Sequence, residues 1–225
     1  NRSYHSGSSN SIIATKTGML ISGCSKTIIH SSVFKIDTFA FQGASRLSEI
    51  FIPHHVTKIE DGAFADCSNL VSISVDKKNA LYNDGDGSNC IIEKQTGTLV
   101  CGGCATKIPS NVQTIGAMAF RGMETPATLI IPENVKTIKR SAFVGCSGLK
   151  HLFVPGHTTI GTQAFAGCKQ LESVIFGEGM KKIPPVAFAG CTNLKNVHIP
   201  ETVKEIAGDA FAGCFGDDAS FSGKQ

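Results

Sequence analysis

Cys101-Gly102-Gly103-Cys104 is the only C-x-x-C spacing in the chain. Two thiols so spaced can cycle as a redox pair or supply half of a zinc site. The first role needs a βαβ context and the second needs another pair of ligands, and the sequence around them offers neither. A loop turn is the better reading, with a local disulfide in an oxidising compartment left open. Five of the nine cysteines (Cys67, Cys146, Cys168, Cys191 and Cys214) each follow an Ala-Phe pair by three residues. Ala44 and Met123 hold the same place after two other pairs. A position that accepts Cys, Ala and Met asks for a small or adaptable apolar side chain, so we expect a buried, reduced thiol column and no metal.

Other groups with chemical potential are weaker. Asp84, Asp86 and Ser88 alternate as calcium ligands do, but an EF-hand loop would need Gly where Asn89 stands and Glu where Gln95 stands. A solvated turn is the expectation there. The pair His54-His55 and His151 lie in different repeats without partner spacing, so they read as surface histidines. No Ser-His-Asp grouping and no phosphate loop has local support. Asn1-Arg2-Ser3 is a glycosylation sequon at the very start of the chain and carries little weight.

These residues sit in a repeat. Ala-Phe recurs with its phenylalanine at Phe41, Phe64, Phe120, Phe143, Phe165, Phe188 and Phe211. Four of the gaps are 23 residues, one is 22, and the gap from Phe64 to Phe120 carries an insert of 33. Ile183 to Ile206 is the cleanest copy, I-x-x-x-A-F-x-x-C-x-x-L-x-x-V-x-I-P-x-x-V-x-x-I. A period of about 20–29 residues with leucine-like positions indicates a leucine-rich repeat solenoid, here of the right-handed β-α superhelix type. Short strands are expected at Leu47 to Ile52, Leu70 to Val75, Leu149 to Val154, Leu171 to Phe176 and Leu194 to Ile199. Prolines such as Pro53, Pro132, Pro155 and Pro200 end most of the strands. In the third repeat Pro126 stands where Leu is expected, and Leu129 and Ile131 restore the frame. The A-F-x-G-C segment is expected to make one helical or 3₁₀ turn, closed by glycine. Stacking then gives a parallel sheet with strands about 4.8 Å apart.

The insert occurs twice. Asn10 onward matches Asn89 onward at a constant offset of 79, as N-S-I-I-A-T-K-T-G-M-L-I-S-G against N-C-I-I-E-K-Q-T-G-T-L-V-C-G. Each copy reads as a β-hairpin, over about 1–28 and 76–107, projecting from the end of a repeat strand. The chain is thus expected to be a single solenoid over 1–225, with a polar tail over 216–225 that lacks a further strand. It starts at Asn1 without a signal-peptide pattern, as a mature or excised fragment would.

The balance of charge is mild, +3, with lysines scattered, which argues against a nucleic-acid partner. No run approaches the roughly 18 apolar residues of a membrane span. The absence of Trp and the presence of only two Tyr argue against an aromatic sugar platform.

The motif I-x-x-x-A-F-x-G-C-x-x-L-x-x-I-x-I-P-x-x-V-x-x-I, together with N-C-I-I-x-K-x-T-x-T-L in the insert, resembles the BspA-like leucine-rich repeat proteins of bacterial surfaces and some parasitic protists. The resemblance runs to about Cys214. It implies an extracellular or cell-surface, non-catalytic protein, often an adhesin that binds host or microbial surface proteins, with no cofactor. One outward strand position stands out beside it. Phe51, Ser74, Ile130, Phe153, Ile175 and His198 form a column that is mostly large and apolar yet should face solvent. Glu49, Ser72, Thr128, His151, Ser173 and Asn196 form a polar column alongside. Within these, Phe51, Ile130, Phe153, Ile175, His198, Glu49, His151 and Asn196 are the candidate protein-binding residues. Plain β-propensity is the competing account of the apolar column. A structural spacer within a longer surface protein, and a sugar-binding module, are the alternative functions.

Overall fold

The structure is a computed structural model and describes residues 4–6, 11–14, 16–214 and 220–222. The chain winds as a solenoid whose coils stack through three parallel hydrogen-bonded faces. The widest, the strand face, holds Glu49–Ile52, Ser72–Val75, Thr128–Ile130, His151–Val154, Ser173–Phe176 and Asn196–His198. Each lies inside the segment the repeat predicts. Alternation places Ile50, Ile52, Ile73, Val75, Leu152, Val154, Val174, Phe176 and Val197 in the core, as a period of two requires.

A second face is built from the V-x-x-I motif as two-residue rungs, for example Lys58–Ile59, Thr137–Ile138 and Lys182–Ile183. Their isoleucines are buried beneath the strand face. The fourth unit, one residue short, keeps its register here, with Thr137 opposite Thr159 and Ile138 opposite Ile160. The missing residue falls in the turn after Pro155. There the buried Thr158 donates its hydroxyl to Val135 O at 2.9 Å and fills the place of an apolar side chain.

The third face corrects the expected helical turn: no helix occurs among the described residues. The A-F segments form tandem tight turns instead. Ala40, Gln42 and Ala44 donate backward to Asp37, Phe39 and Phe41, while the intervening Phe41 and Gly43 donate to Ala63 and Ala65 of the next coil. A helix would consume all of these N–H groups locally. Positive φ on both sides of the phenylalanine prevents it: Ser141 at 56° and Gly145 at 67° flank Phe143. The phenylalanines stack as a ladder, with ring centroids 5.0 Å apart for Phe143 and Phe165 and 5.3 Å for Phe165 and Phe188.

The inserts also differ from expectation. The hairpin Cys90–Glu93 with Thr98–Gly102 does not project. Its second strand pairs in parallel with Thr114–Ile115, Thr98 opposite Thr114, and Cys90, Ile91, Ile92, Leu99 and Cys101 are buried in the common core. The physical reason is the apolar content of both strands, which an arm in solvent would leave wet. The first copy does the same, with Met19 opposite Lys35 and Leu20 opposite Ile36.

Each insert is therefore an extra coil, and a short one. Gly102 donates its N–H to Ala119 O and Gly23 to Ala40 O, the bond that a repeat phenylalanine makes. From Phe41 to Val56 the chain takes fifteen residues, but from Gly23 to Val33 and from Gly102 to Val112 only ten. The insert coils cut across, through Ser25–Ile29 and Cys104–Ile108, without adding a strand. The strand face is consequently split. Glu49–Ile52 pairs with Ser72–Val75 alone, and the rest form a separate sheet starting at Thr128–Ile130. That sheet includes a strand missed in the polar tail: Ser220–Ser222 pairs in parallel with Asn196–His198, covering backbone groups that an edge would leave open.

Candidate interaction surface

The parallel register sets the outward residues in rows. Ile130 stands opposite Phe153, Phe153 opposite Ile175, and Ile175 opposite His198. Ile130 is 65% exposed and Ile175 47%, while Phe153 is half-buried between them. Ile130 to His198 is thus one continuous column, apolar for three coils and ending in an exposed imidazole. Thr128, His151, Ser173 and Asn196 run beside it in the same register. His151 and Ser173 share a hydrogen bond of 2.9 Å between Nδ1 and Oγ. Lys150 and Glu172 form an exposed ion pair of 3.7 Å next to that polar row.

Phe51 and Glu49 are not part of this surface. Phe51 is 52% exposed and pairs with Ser74, Glu49 with Ser72, on the short sheet beyond the insert. They border a groove of about 380 Å³ whose other wall is the Ser25–Ile29 segment, with Ser72 and Ser74 also lining it. Sequence reasoning grouped Phe51 with Phe153 and missed the wall residues. The ten-residue span from Gly23 to Val33 was the available signal.

The thiols occupy the positions expected of them. All nine are free. In the repeat column each donates to the phenylalanine carbonyl one coil back, as Cys168 Sγ does to Phe143 O at 3.1 Å and Cys191 Sγ to Phe165 O at 3.2 Å. This bond is what Cys adds over the Ala44 alternative. Burial pushes the Cys67 and Cys90 thiols up to about 12. Hydrogen bonding to Cys168 does the same for Cys191, with burial adding to it. Burial likewise raises Cys101 and Cys104, the reverse of what a reactive thiol needs. The Cys101-Gly102-Gly103-Cys104 glycines have a packing role. A side chain on Gly102 would collide with the Phe120 ring, and one on Gly103 would lie 2.5 Å from Leu70 O.

Asp84 closes its own turn: Oδ1 accepts from Gly87 N at 3.3 Å and Oδ2 from Val75 N at 3.4 Å. His54 pairs with Asp76 at 3.1 Å. Asp76 is held below the usual carboxylate value by the Lys78 N–H and then by His54. Among the described residues, no group of three His, Cys, Asp or Glu is placed to hold a metal ion.

The sequence profile of the BspA type leucine rich repeat region matches residues 18–94 and 103–216, in six copies. The chain belongs to the BspA-type leucine-rich repeat family. A search of curated proteins found no match. Among solved structures, a leucine-rich repeat protein from Eubacterium ventriosum is 25% identical with a TM-score of 0.75, over 85% of this chain and 52% of that one. A leucine rich cell surface protein from Faecalibacterium prausnitzii is 31% identical with a TM-score of 0.57, over 81% and 43%. The pneumococcal vaccine antigen PcpA shares the fold at 18% identity and a TM-score of 0.54, over 80% and 62%. The chain spans about half the length of the first two of these leucine-rich relatives.

Proposed function

We propose that this chain is a non-catalytic, extracellular or cell-surface repeat module that binds a protein partner through its strand face. The observation that carries this reading is the Ile130, Phe153, Ile175 column. It is a run of large apolar side chains held in register on the exposed side of a rigid sheet, with a polar row alongside to supply selectivity. Family membership supports the interaction role, and the description of the Faecalibacterium relative as a cell surface protein supports the location. His151, Asn196 and His198 form the polar margin of this surface. Phe51 and Glu49 lie apart from it, on the separate sheet of Glu49–Ile52 and Ser72–Val75.

The test is binding of the folded chain to an array of host and microbial surface proteins and glycans, beside the Phe153→Ser, Ile175→Ser double variant. Both positions lie on the outward side of the strands, so the variant should keep its far-UV spectrum and a cooperative unfolding transition, with a modest drop in midpoint from the half-buried Phe153. We expect protein ligands that bind the parent and lose at least about tenfold in affinity for the variant, as removal of two central apolar contacts would cause. Undiminished binding by the variant would refute the assignment. Failure of the parent to bind anything would favour a spacer, and capture of glycans alone would favour a sugar-binding module.

A further inference from the structure

We propose that the groove between Ser25–Ile29 and Glu49–Ile52 receives an extended peptide, which adds a strand to the free side of Glu49–Ile52. The inference rests on the reading of the strand face as an interaction surface and gives one part of it a mode of recognition.

The parallel register fixes which backbone groups are spent. Ser72 N donates to Ser48 O at 3.0 Å and Asp76 N to Ile52 O at 2.9 Å, with Glu49 opposite Ser72 and Phe51 opposite Ser74. In a parallel ladder, alternate residues turn both backbone groups to the same neighbour. Ile50 and Ile52 therefore serve Ser72–Val75, and the N–H and C=O of Glu49 and Phe51 point the other way. On that side the insert coil supplies no strand, because its shortened path crosses through Ser25–Ile29. A strand position is missing, with a wall beyond it, and about 380 Å³ lies open there.

The lining suits a peptide rather than a charged polymer. Ile28 and Phe51 are exposed apolar side chains, and Lys26 and Glu49 contribute one charge of each sign. A polyanion would meet Glu49. The same molecule shows how little chain a free edge of this kind needs: Ser220–Ser222 completes the far edge of the other sheet with three residues in parallel register. Main-chain pairing would supply affinity here, and the exposed Ile28 and Phe51 side chains would favour an apolar side chain.

The experiment selects a displayed library of linear dodecapeptides on the full chain, then measures the best synthetic peptide by calorimetry. Two chain variants and one peptide variant follow. Phe51→Pro removes a strand donor at the groove. Ser74→Arg lays a long side chain over the groove floor and leaves Glu49–Ile52 intact, so it tests the site even if the proline variant misfolds. Methylation of alternate peptide nitrogens removes main-chain donors while keeping every side chain. We expect at least about tenfold weaker binding from Ser74→Arg and from the methylated peptide. The proposal is overturned if no peptide is enriched, or if binding is unmoved by Ser74→Arg or by methylation. A peptide lost only on Phe153→Ser, Ile175→Ser overturns the groove and leaves the wider strand-face reading standing.

Discussion

The stack from Thr128 to Cys214 and the part that precedes it are made of the same repeat but are held together differently. In the former, coils meet through strand pairs and the phenylalanine ladder from Phe120 to Phe211, and through two-residue rungs everywhere except between Thr159–Ile160 and Lys182–Ile183. In the latter, the second insert separates Phe64 from Phe120. The ladder is filled by Gly102 against the Phe120 ring, and the strand face stops at Ser72–Val75. What survives the insert is the turn face, where Asp66 N still donates to Arg121 O at 2.8 Å. Regularity yields a long continuous surface. Irregularity yields edges and a groove. A solenoid's stability is roughly a sum over coils and their interfaces, so the two parts can be weakened separately.

The largest expected effect is in the regular stack. Phe165 is fully buried and stacked on both sides, by Phe143 and Phe188. Phe165→Ala should cost about 3–5 kcal/mol. Phe64 stacks on Phe41 at 5.0 Å, with the insert on its other side, and Phe64→Ala should cost less. Urea denaturation of both variants gives the ordering, and equal losses would show that the ladder adds nothing beyond burial of each ring.

Alkaline pH acts next, through the thiols. Cys67, Cys90 and Cys191 have folded values of about 12 against an ordinary 9.0. Between these values the folded chain holds protons that the unfolded chain releases. Their contribution is complete below about pH 9 and is lost as pH rises toward 12. Denaturation midpoints should fall steadily across that window, and Cys191→Ala should flatten the slope. A midpoint independent of pH from 9 to 11 would contradict the burial of these thiols.

Gly102→Ala tests the splice itself. A methyl group there has no room beside Phe120, and the overpacking should cost about 1–3 kcal/mol. The equivalent change at Gly145, which has nothing within 4 Å of an added Cβ but a φ of +67°, should cost about 1 kcal/mol from backbone strain alone. If the two losses match, packing against the ring is not what fixes Gly102.

How much of this was legible in the sequence follows from the range of each signal. The period of 23 and the Ala-Phe pairs locate the strands of the strand face from Glu49 to His198, because a stacked coil repeats its buried positions. The outward residues follow from strand alternation. The hairpins were legible as hairpins, since that signal is local, but their place in the stack depended on where their apolar side chains find cover. The tandem turns escaped because Phe39, Met118 and Gln163 hold positive φ without the glycine that marks such a position. The break between Phe51 and Phe153 was present only in the shortened span from Gly102 to Val112, a spacing that matters once Gly102 is known to stand in for a phenylalanine. The strand at Ser220–Ser222 lies in a segment too polar to suggest one.

The smallest effect separates the seam from the surface. Arg121 Nε reaches Asp66 Oδ2 at 3.3 Å across the insert, with both side chains about one-third exposed. Lys150 and Glu172 pair at 3.7 Å within the regular stack, where both are more exposed. Solvent screening and side-chain entropy hold an exposed pair to about 0–0.5 kcal/mol. The Arg121 pair is partly shielded and joins coils that lack strand-face pairing, so Arg121→Ala should cost up to about 1 kcal/mol and Lys150→Ala almost nothing. Raising salt should narrow the difference. Because the Asp66 to Arg121 backbone bond persists in either variant, a larger loss than this would mean that the side chains, rather than the turn face, carry the connection across the insert.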